Sequence, residues 1–430
     1  MLSSAALVVL FIGVLITIHE FGHLIAAKLA GITVEVFSLG FGPVLVRRKL
    51  GGTEYRLALI PLGGFIKMVG EEGDGTADSA TGETTGGSYA NKPTRIRVGV
   101  IAAGPLSNLV LGFVLMLAVY LLFGIKYLPP VVDIESGSSA AAAGLMTGDT
   151  VLSVDGDTVL TFEQLEDRLE RKRGQPVNLT VARQGQRLNL QYFIPTESSE
   201  FHPLLVPVVE RVRSGSPAAR LGLRPGDRLV SIDGRPVSRW EEFVAIVTQH
   251  GGERIAISWL RNGITYSDSV TPILEKDPMS NERFGQIGIW VRLPRKNLSL
   301  FMALVEASRR TFQIVTQTLF ILGKVATGKL STRAIGGPIT VAKVAYEGAS
   351  WGAEYFFALW ALLSINLFVV NMLPIPVMDG GRILLDLFTE VRGRRLSHKE
   401  LTWVTNLGWV IIGLIIPFAL SNDIRRLVNR

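Results

Sequence analysis

The feature that most constrains this chain is a group of ionisable side chains inside its first long apolar stretch. Residues 4–29 are long and apolar enough to cross a bilayer, since a hydrocarbon core of about 30 Å needs about 20 helical residues. The segment from His19 to His23, HEFGH, lies within that stretch. A charge at the centre of a membrane helix costs on the order of 2.5 to 3.5 kcal/mol, so these residues indicate a functional site.

The HEFGH spacing predicts a zinc site. His19 and His23 are four residues apart, so they share one helical face and can place two imidazoles on a single zinc ion. Glu20 is adjacent to them. We expect it to act as the general base toward a water whose pKa zinc lowers to about 7.

A catalytic zinc needs a third protein ligand, and Asp379 is the predicted one. It lies in the sequence NMLPIPVMDGG, which begins at Asn371. His19 is about 22 Å into the first apolar stretch at the helical rise, and the third stretch reaches Asn371 after a similar distance. Pro374 and Pro376 then break the helix, which predicts Asp379 at the depth of His19. The alternative is that Asp379 only caps a helix or forms an Asp-Gly turn.

Four apolar stretches predict a polytopic α-helical membrane protein. They cover residues 4–29, 97–123, 354–375 and 402–420. The first is not expected to be a removable signal peptide, because no positive residue precedes Lys28.

Lys and Arg residues gather in two of the loops between these spans, which are therefore predicted to be cytoplasmic. They are Arg47, Arg48, Lys49, Lys92, Arg95 and Arg97 in the first loop, and Arg382, Arg392, Arg394, Arg395 and Lys399 in the last. The N-terminus and residues 125–350 then face outward. Arg425, Arg426 and Arg430 lie on the opposite side from the one that this rule favours.

Composition excludes several classes of site. The chain has no cysteine, so disulfides and thiolate ligands are absent and a transition-metal site must use imidazole and carboxylate. The formal net charge is +7, but no basic run is interleaved with aromatic residues. Nucleic acid is therefore not predicted as a partner.

An internal repeat with an offset of 78 residues occupies the outward region. Gly144 to Asp149 matches Gly222 to Asp227, and turn and strand signals follow in the same order. Two copies of one domain are predicted, at residues 125–202 and 203–293. Each resembles the PDZ domain, which typically binds an extended peptide at a sheet edge. The alternative is that they pack or shield without a peptide ligand.

The remaining segments complete the predicted organisation. Residues 1–124 carry the first two spans, residues 294–350 form an outer interfacial segment, and residues 351–430 carry the last two spans. Within the interfacial segment, apolar residues recur at helical spacing over 298–323 and predict an amphipathic helix on the outer membrane surface. A fifth transmembrane span is the alternative there.

Taken together, the two motifs, their order and the double insert between spans two and three resemble the site-2 protease family. The match extends through almost the whole chain. The segment from Gly40 to Pro43 and that from Tyr55 to Met68 resemble the family's membrane-reentrant β-hairpin after span one. Gly104 to Asn108, GPLSN, resembles its second-span motif. One departure is Met378, where the family usually has leucine.

The resemblance implies a zinc protease of the bacterial inner membrane. It implies cleavage of the transmembrane segment of single-pass proteins already trimmed outside, including an anti-sigma factor and remnant signal peptides. Asn371 is predicted to bind the extended substrate backbone, or else to satisfy a freed carbonyl. Pro374 and Pro376, which follow it, are predicted to belong to the same substrate-binding segment. The hairpin residues Gly63 and Gly64 are predicted to offer an open strand edge to the same substrate.

Two other classes of protein fit part of the pattern. A metal or ion transporter would also keep His, Glu and Asp residues at mid-membrane, but it should have inverted hydropathy repeats, which this sequence lacks. A catalytically inactive PDZ scaffold would have no reason to keep both zinc motifs. Metal analysis separates the scaffold from a protease.

Overall fold

The computed structural model divides the chain into two units, Met1–Phe123 with Leu298–Arg430, and Gly124–Asn297. It describes residues 2–71, 87–196, 200–276, 282–329, 351–394 and 396–428, together with residues 337, 340 and 348. Within the predicted interfacial segment, residues 330–350 therefore lie outside the described residues, except for the three just named. The predicted domain boundaries inside the two units stay predictions.

The elements of the described ranges are as follows. The α-helices are α1 (Leu2–Leu29), α2 (Thr94–Phe123), α3 (Ser139–Ala142), α4 (Phe162–Arg171), α5 (Pro217–Leu221), α6 (Trp240–Gln249), α7 (Leu300–Ala326), α8 (Ala353–Asn371), α9 (Asp379–Arg392) and α10 (His398–Val428). The strands are β1 (Val34–Leu50), β2 (Thr53–Met68), β3 (Ile125–Lys126), β4 (Val132–Ile134), β5 (Thr150–Val154), β6 (Asp157–Thr158), β7 (Pro176–Arg183), β8 (Gln186–Phe193), β9 (Phe201–Pro203), β10 (Val209–Val212), β11 (Arg228–Ile232), β12 (Arg235–Pro236), β13 (Ile255–Arg261), β14 (Ile264–Val270), β15 (Ile273–Lys276), β16 (Arg283–Gln286), β17 (Ile289–Val291) and β18 (Arg295–Lys296).

The first unit is built around α2, which packs against α1, α7 and α8. Its core includes Met116 of α2 and Ile365 of α8. Gly112 lets these two helices approach, because a Cβ there would lie 2.5 Å from Ile365 Cγ1. Among the described residues, α2 and α8 are long and apolar enough to span a membrane. The other two predicted spans form helices α1 and α10, and their crossing of a membrane stays a prediction.

Helix α7 covers the segment for which an amphipathic helix is predicted. Ser299 caps it by accepting a hydrogen bond from the backbone N–H of Met302. One face, with Ala307 and Ile314, is buried against the core of the first unit, and the other exposes apolar side chains such as Phe312. Its position relative to the membrane stays a prediction.

Strands β1 and β2 form a long antiparallel hairpin. The half nearest α1 is buried through Val34 and Phe37, whereas Val44 and Leu45 beyond it are exposed. The strands are joined at Gly51 and Gly52, both at positive φ, which glycine adopts without steric cost. Both strands bend, so their inner parts are paired on two sides: Phe37, for example, pairs with both Tyr55 and Ile66. Among the described residues, 44–50 of β1 and 64–68 of β2 are paired on one side only, and these are the edges open to a further strand.

The second unit contains the two copies of the predicted repeat. The first has a sheet in the order β6-β5-β7-β8, and the second has the corresponding order β12-β11-β13-β14. Each copy has its own apolar core. Ser138 and Ser216, 78 residues apart, cap the equivalent helices α3 and α5 by accepting a hydrogen bond from the backbone N–H three residues later.

A buried ion pair also recurs in the two copies. Asp149 contacts Arg183 at 2.7 Å in the first, and Asp227 contacts Arg261 at 2.7 Å in the second. Both carboxylates are almost fully buried, and each accepts two hydrogen bonds from the arginine fork. In each copy this pair joins the Gly-Asp turn to the third strand of the sheet.

Candidate active site

Helix α1 presents both histidines of the HEFGH segment on one buried face. Their Nε2 atoms are 3.3 Å apart. The i, i+4 spacing produces this approach because residues four apart lie one turn above each other. Gly22 on the same turn lies close to α2, where a Cβ would stand 2.8 Å from Ser107 Oγ. Ser107 also donates a hydrogen bond to the Ile18 carbonyl at 2.8 Å, which fixes α1 against α2.

Asp379 reaches the histidines through a tight loop between two helices. Helix α8 ends at Asn371, before Pro374, and α9 begins at Asp379. The loop closes through a hydrogen bond from the Met378 N–H to the Ile375 carbonyl at 2.8 Å. Gly381 is needed in the first turn of α9, because a Cβ there would overlap the Ile375 carbonyl.

The carboxylate of Asp379 faces both imidazoles. Its Oδ2 is 3.1 Å from His19 Nε2, and its Oδ1 is 3.7 Å from His23 Nε2. One ligand atom from each of the three residues lies within 4.8 Å of the others, close enough for the group to hold one metal ion. The position at the N-terminus of α9 also favours a negative charge on Asp379.

The far nitrogen of each imidazole has its own partner. His23 Nδ1 is 2.9 Å from the Val100 carbonyl of α2, so Nδ1 donates to that oxygen and Nε2, on the side of Asp379, is the nitrogen available to a metal. The ring also rests on Gly104, where a Cβ would overlap it. His19 Nδ1 is 3.2 Å from the side-chain amide of Asn108 and 3.4 Å from that of Asn371.

Glu20 lies between the histidine pair and the hairpin. It is half-buried, and strand β2 passes beside it. A Cβ on Gly64 would stand 3.1 Å from Glu20 Cγ and 2.8 Å from the Ser38 carbonyl, so only a glycine fits this approach without a shift. The open strand therefore runs directly past the carboxylate.

The predicted site residues occupy different parts of this arrangement. The structure brings together His19, His23, Asp379, Asn371, Glu20 and Gly64. Pro374 and Pro376 lie in the loop between α8 and α9, where they contribute no N–H groups. At Gly63 a Cβ would meet the ring of Phe41 and not Glu20.

Sequence reasoning missed the contribution of α2. The Val100 carbonyl, Gly104 and Asn108 touch the two histidines, and none is a predicted site residue. A signal existed in the GPLSN segment, whose Gly and Asn are four residues apart and share a helical face. Without the helix-crossing geometry, that segment does not reveal which histidine each residue meets.

Two histidines one turn apart, a neighbouring glutamate and a carboxylate from a second helix define a site of the zinc metallopeptidase class. The donors fit zinc, which binds imidazole nitrogen and carboxylate oxygen and needs three protein ligands in a catalytic site. Their burial and the fixed proton on His23 Nδ1 favour the same ion.

Known proteins agree with that class. The family model described as Peptidase family M50 matches residues 7–415. The Regulator of sigma-E protease RseP of Escherichia coli K12 is 34% identical over 444 residues, covering 97% of each chain. A protein of Neisseria meningitidis serogroup A that is named as a zinc metalloprotease is 32% identical over 444 residues, again covering 97% of each. The chain therefore belongs to peptidase family M50, the site-2 protease family, and is a zinc metalloprotease.

Two solved structures with local similarity are PDZ domains. The PDZ domain of an SdrC-like protein from Listeria monocytogenes is 22% identical, has a TM-score of 0.17, and covers 21% of this chain and 90% of that chain. The corresponding domain from Listeria innocua is 21% identical, has a TM-score of 0.18, and covers 22% and 99%.

Proposed function

We propose that this protein hydrolyses peptide bonds within the membrane, with zinc held by His19, His23 and Asp379. The observation that carries the proposal is the meeting of these three side chains, whose ligand atoms lie within 4.8 Å of one another although Asp379 belongs to a distant helix. Membership of the site-2 protease family supports it. When bound, zinc supplies Lewis acidity toward a water and toward the carbonyl that is cleaved.

Glu20 is the proposed general base. It takes a proton from the attacking water, whose oxygen bonds to the carbonyl carbon, and it delivers a proton to the nitrogen of the breaking peptide bond. Half-burial beside the two histidines and next to an open strand supports this role. A carboxylate in that position is close to both the ligands and any backbone that pairs with β2.

The hairpin is the proposed binding site for an unwound substrate. A peptide bond inside a helix is shielded, whereas a strand added to β2 exposes it. Gly64 permits the close approach of β2 to Glu20, and Gly63 lies next to it in the same strand. On the opposite side we propose that Asn371 binds the substrate backbone. Pro374 and Pro376 keep that loop from closing into a helix.

We further propose that α1, α2, α8 and α10 are transmembrane helices of a bacterial inner-membrane protein, with a membrane-reentrant hairpin. The similar proteins of Escherichia coli and Salmonella typhimurium bear the name Regulator of sigma-E protease RseP. By likeness to them, the proposed substrates are single-pass membrane proteins with a pre-trimmed ectodomain, such as an anti-sigma factor. Remnant signal peptides are a second proposed class of substrate. The two repeats, inserted between the second and third predicted spans, are proposed to restrict access by bulky ectodomains.

The test separates ligands from the base. We expect wild-type protein to hold one zinc per chain and Glu20→Gln to hold the same amount while losing proteolysis of a model transmembrane substrate. His23→Ala should lose zinc as well as activity, because it removes a ligand. Zinc content by atomic spectroscopy and cleavage by gel assay measure the two properties.

Two comparisons make this test decisive. His250→Ala changes a histidine of the second unit, whose Nδ1 bonds the Ile246 carbonyl at 2.7 Å, and should leave both properties unchanged. Full zinc stoichiometry in both His19→Ala and Asp379→Ala would overturn the proposed ligand set.

A further inference from the structure

We infer that Asn108 is a positioning residue of the zinc site, and that its side-chain oxygen accepts a hydrogen bond from Nδ1 of His19. The bond holds that imidazole with Nε2 toward Asp379. Asn371 then remains available for substrate. This inference rests on the proposed role of His19 as a ligand.

Two amides compete for one ring nitrogen. Asn108 is 3.2 Å and Asn371 is 3.4 Å from His19 Nδ1. That nitrogen offers either one proton or one lone pair, so it pairs well with only one of them. Asn108 is 0% exposed, whereas Asn371 is half-buried. The fully buried amide of Asn108 cannot bond to solvent, so it is the amide that bonds to the imidazole.

The direction of the bond follows from the ligand atom. An imidazole that binds metal through Nε2 carries its proton on Nδ1, so the partner must present an acceptor. A half turn of the Asn108 amide exchanges its oxygen and nitrogen, and atomic positions alone do not distinguish the two. With the nitrogen toward His19, Asn108 Oδ1 is buried and has no hydrogen-bond partner among the described residues. The half turn places this oxygen on the Nδ1–H group and moves Nδ2 to the position that the oxygen leaves. The proton that a ligating His19 carries on Nδ1 therefore decides between the two orientations, in favour of the oxygen.

The backbone around Asn108 is fixed on two sides. Its carbonyl accepts a hydrogen bond from Ser364 Oγ of α8 at 2.7 Å. The preceding residue, Ser107, bonds the Ile18 carbonyl of α1 at 2.8 Å. Helix α2 is therefore attached to the helix that carries the histidines and to the helix that leads to Asp379. The amide consequently meets His19 at a set distance, as the Val100 carbonyl meets His23.

The inference predicts that zinc retention depends on an acceptor at position 108. Asn108→Leu keeps the size but removes the hydrogen bond, and should release zinc to a chelating dye about 10- to 100-fold faster than wild type. Asn108→Asp presents a carboxylate oxygen and should release zinc no faster than wild type. Asn108→Ala removes the amide without adding bulk and should match the leucine variant, so the comparison survives if leucine prevents folding.

Two further variants complete the experiment. Asn371→Leu should keep the wild-type rate of zinc release and raise KM for a transmembrane substrate. Asn366→Leu removes an amide that bonds Thr318 Oγ1 at 2.7 Å, away from the histidines, and should leave zinc release unchanged. Helix content by circular dichroism confirms that each variant is folded.

Three results would overturn the inference. Wild-type zinc release from folded Asn108→Leu and Asn108→Ala would show that the amide positions nothing. Release from Asn108→Asp as fast as from Asn108→Leu would show that the amide donates instead. Zinc loss from Asn371→Leu, without zinc loss from the Asn108 variants, would show that Asn371 positions His19 and that Asn108 does not. If His23→Ala still loses zinc in each case, the proposed zinc site holds and only the role of Asn108 is wrong.

Discussion

At the scale of single residues, the imidazole of His23 packs directly on Gly104. A Cβ at position 104 would overlap the imidazole, and the ring is already fixed on its other nitrogen by the Val100 carbonyl. Gly104 therefore sets how closely α2 approaches a proposed ligand. Glycine in a helix normally lowers stability by about 0.5 to 1 kcal/mol relative to alanine, so its presence here indicates a packing requirement.

Gly104→Ala should therefore weaken zinc binding, on the order of tenfold, because the imidazole of His23 must move away from Asp379. Gly99→Ala is the matched control, since both glycines lie in α2 and a Cβ at position 99 meets nothing within 4 Å. That variant should bind zinc normally and be slightly more stable. Competition with a chelator measures the zinc affinity of both. Equal affinities would show that His23 is not held against α2.

Residue-level reasoning from sequence succeeds where spacing alone decides geometry. The four-residue spacing of His19 and His23 places their Nε2 atoms 3.3 Å apart, as a helix requires. The approach of Asp379 to both was also predictable, from matching depths in two apolar stretches. The partners of the imidazoles were not, because Asn108 reaches His19 only through the crossing of α1 and α2. Gly63 shows the same limit, since neighbouring glycines in β2 face Phe41 and Glu20 respectively.

At the scale of elements, the two repeats share a buried ion pair whose residues keep the 78-residue offset. Arg183 and Arg261 are 78 residues apart, as are Asp149 and Asp227, yet an arginine in a strand is common enough that the match passes unnoticed in sequence. Burial opposes ionisation of Asp149, but hydrogen bonds from Arg183 and from the Met146 N–H outweigh it and hold the pKa of the carboxyl below its usual range.

Asp149→Asn should destabilise the first repeat by about 3 kcal/mol at pH 7, because it leaves Arg183 without its charge partner. That value is the lower end for a buried pair, since the Arg183 side chain is 25% exposed. Asp157→Asn is the control: Asp157 is exposed and lies 4.0 Å from Arg168, so its loss should cost no more than about 0.5 kcal/mol. Hydrogen exchange of β7 in the full chain, corrected for intrinsic rates, measures both.

The same pair predicts a pH dependence. A carboxyl whose folded pKa is depressed stabilises the fold above its unfolded pKa, about 4 for Asp, and the contribution is lost as pH falls toward the folded value. The stability difference between wild type and Asp149→Asn should therefore be full at pH 7 and shrink below about pH 4. A difference that grows on acidification would contradict the depressed pKa.

At the scale of the whole molecule, the chain enters and leaves the second unit on adjacent strands. Strand β3 pairs with β18 in antiparallel register, with Lys126 opposite Arg295 and Ile125 opposite Lys296. Both repeats lie between these two strands. The repeat in the sequence predicts the insert but not this closure, because the strands contain only two residues each and carry no periodic pattern. The pairing defines how the insert can be removed with least disturbance to the first unit.

A chain in which residues 127–294 are replaced by Asn-Gly should keep Lys126 and Arg295 paired through a two-residue hairpin turn. The proposed site lies wholly in the first unit, so this variant should bind one zinc and cleave a short, pre-trimmed transmembrane substrate. If the repeats restrict access, it should also cleave a substrate that carries its full ectodomain, which the wild type should leave intact. The full-length Asp149→Asn variant keeps a weakened first repeat. It should cleave the substrate with the full ectodomain at a rate between those of the wild type and the deletion variant. Loss of cleavage of the short substrate by a variant that still binds zinc would replace exclusion with obligatory substrate capture by the repeats.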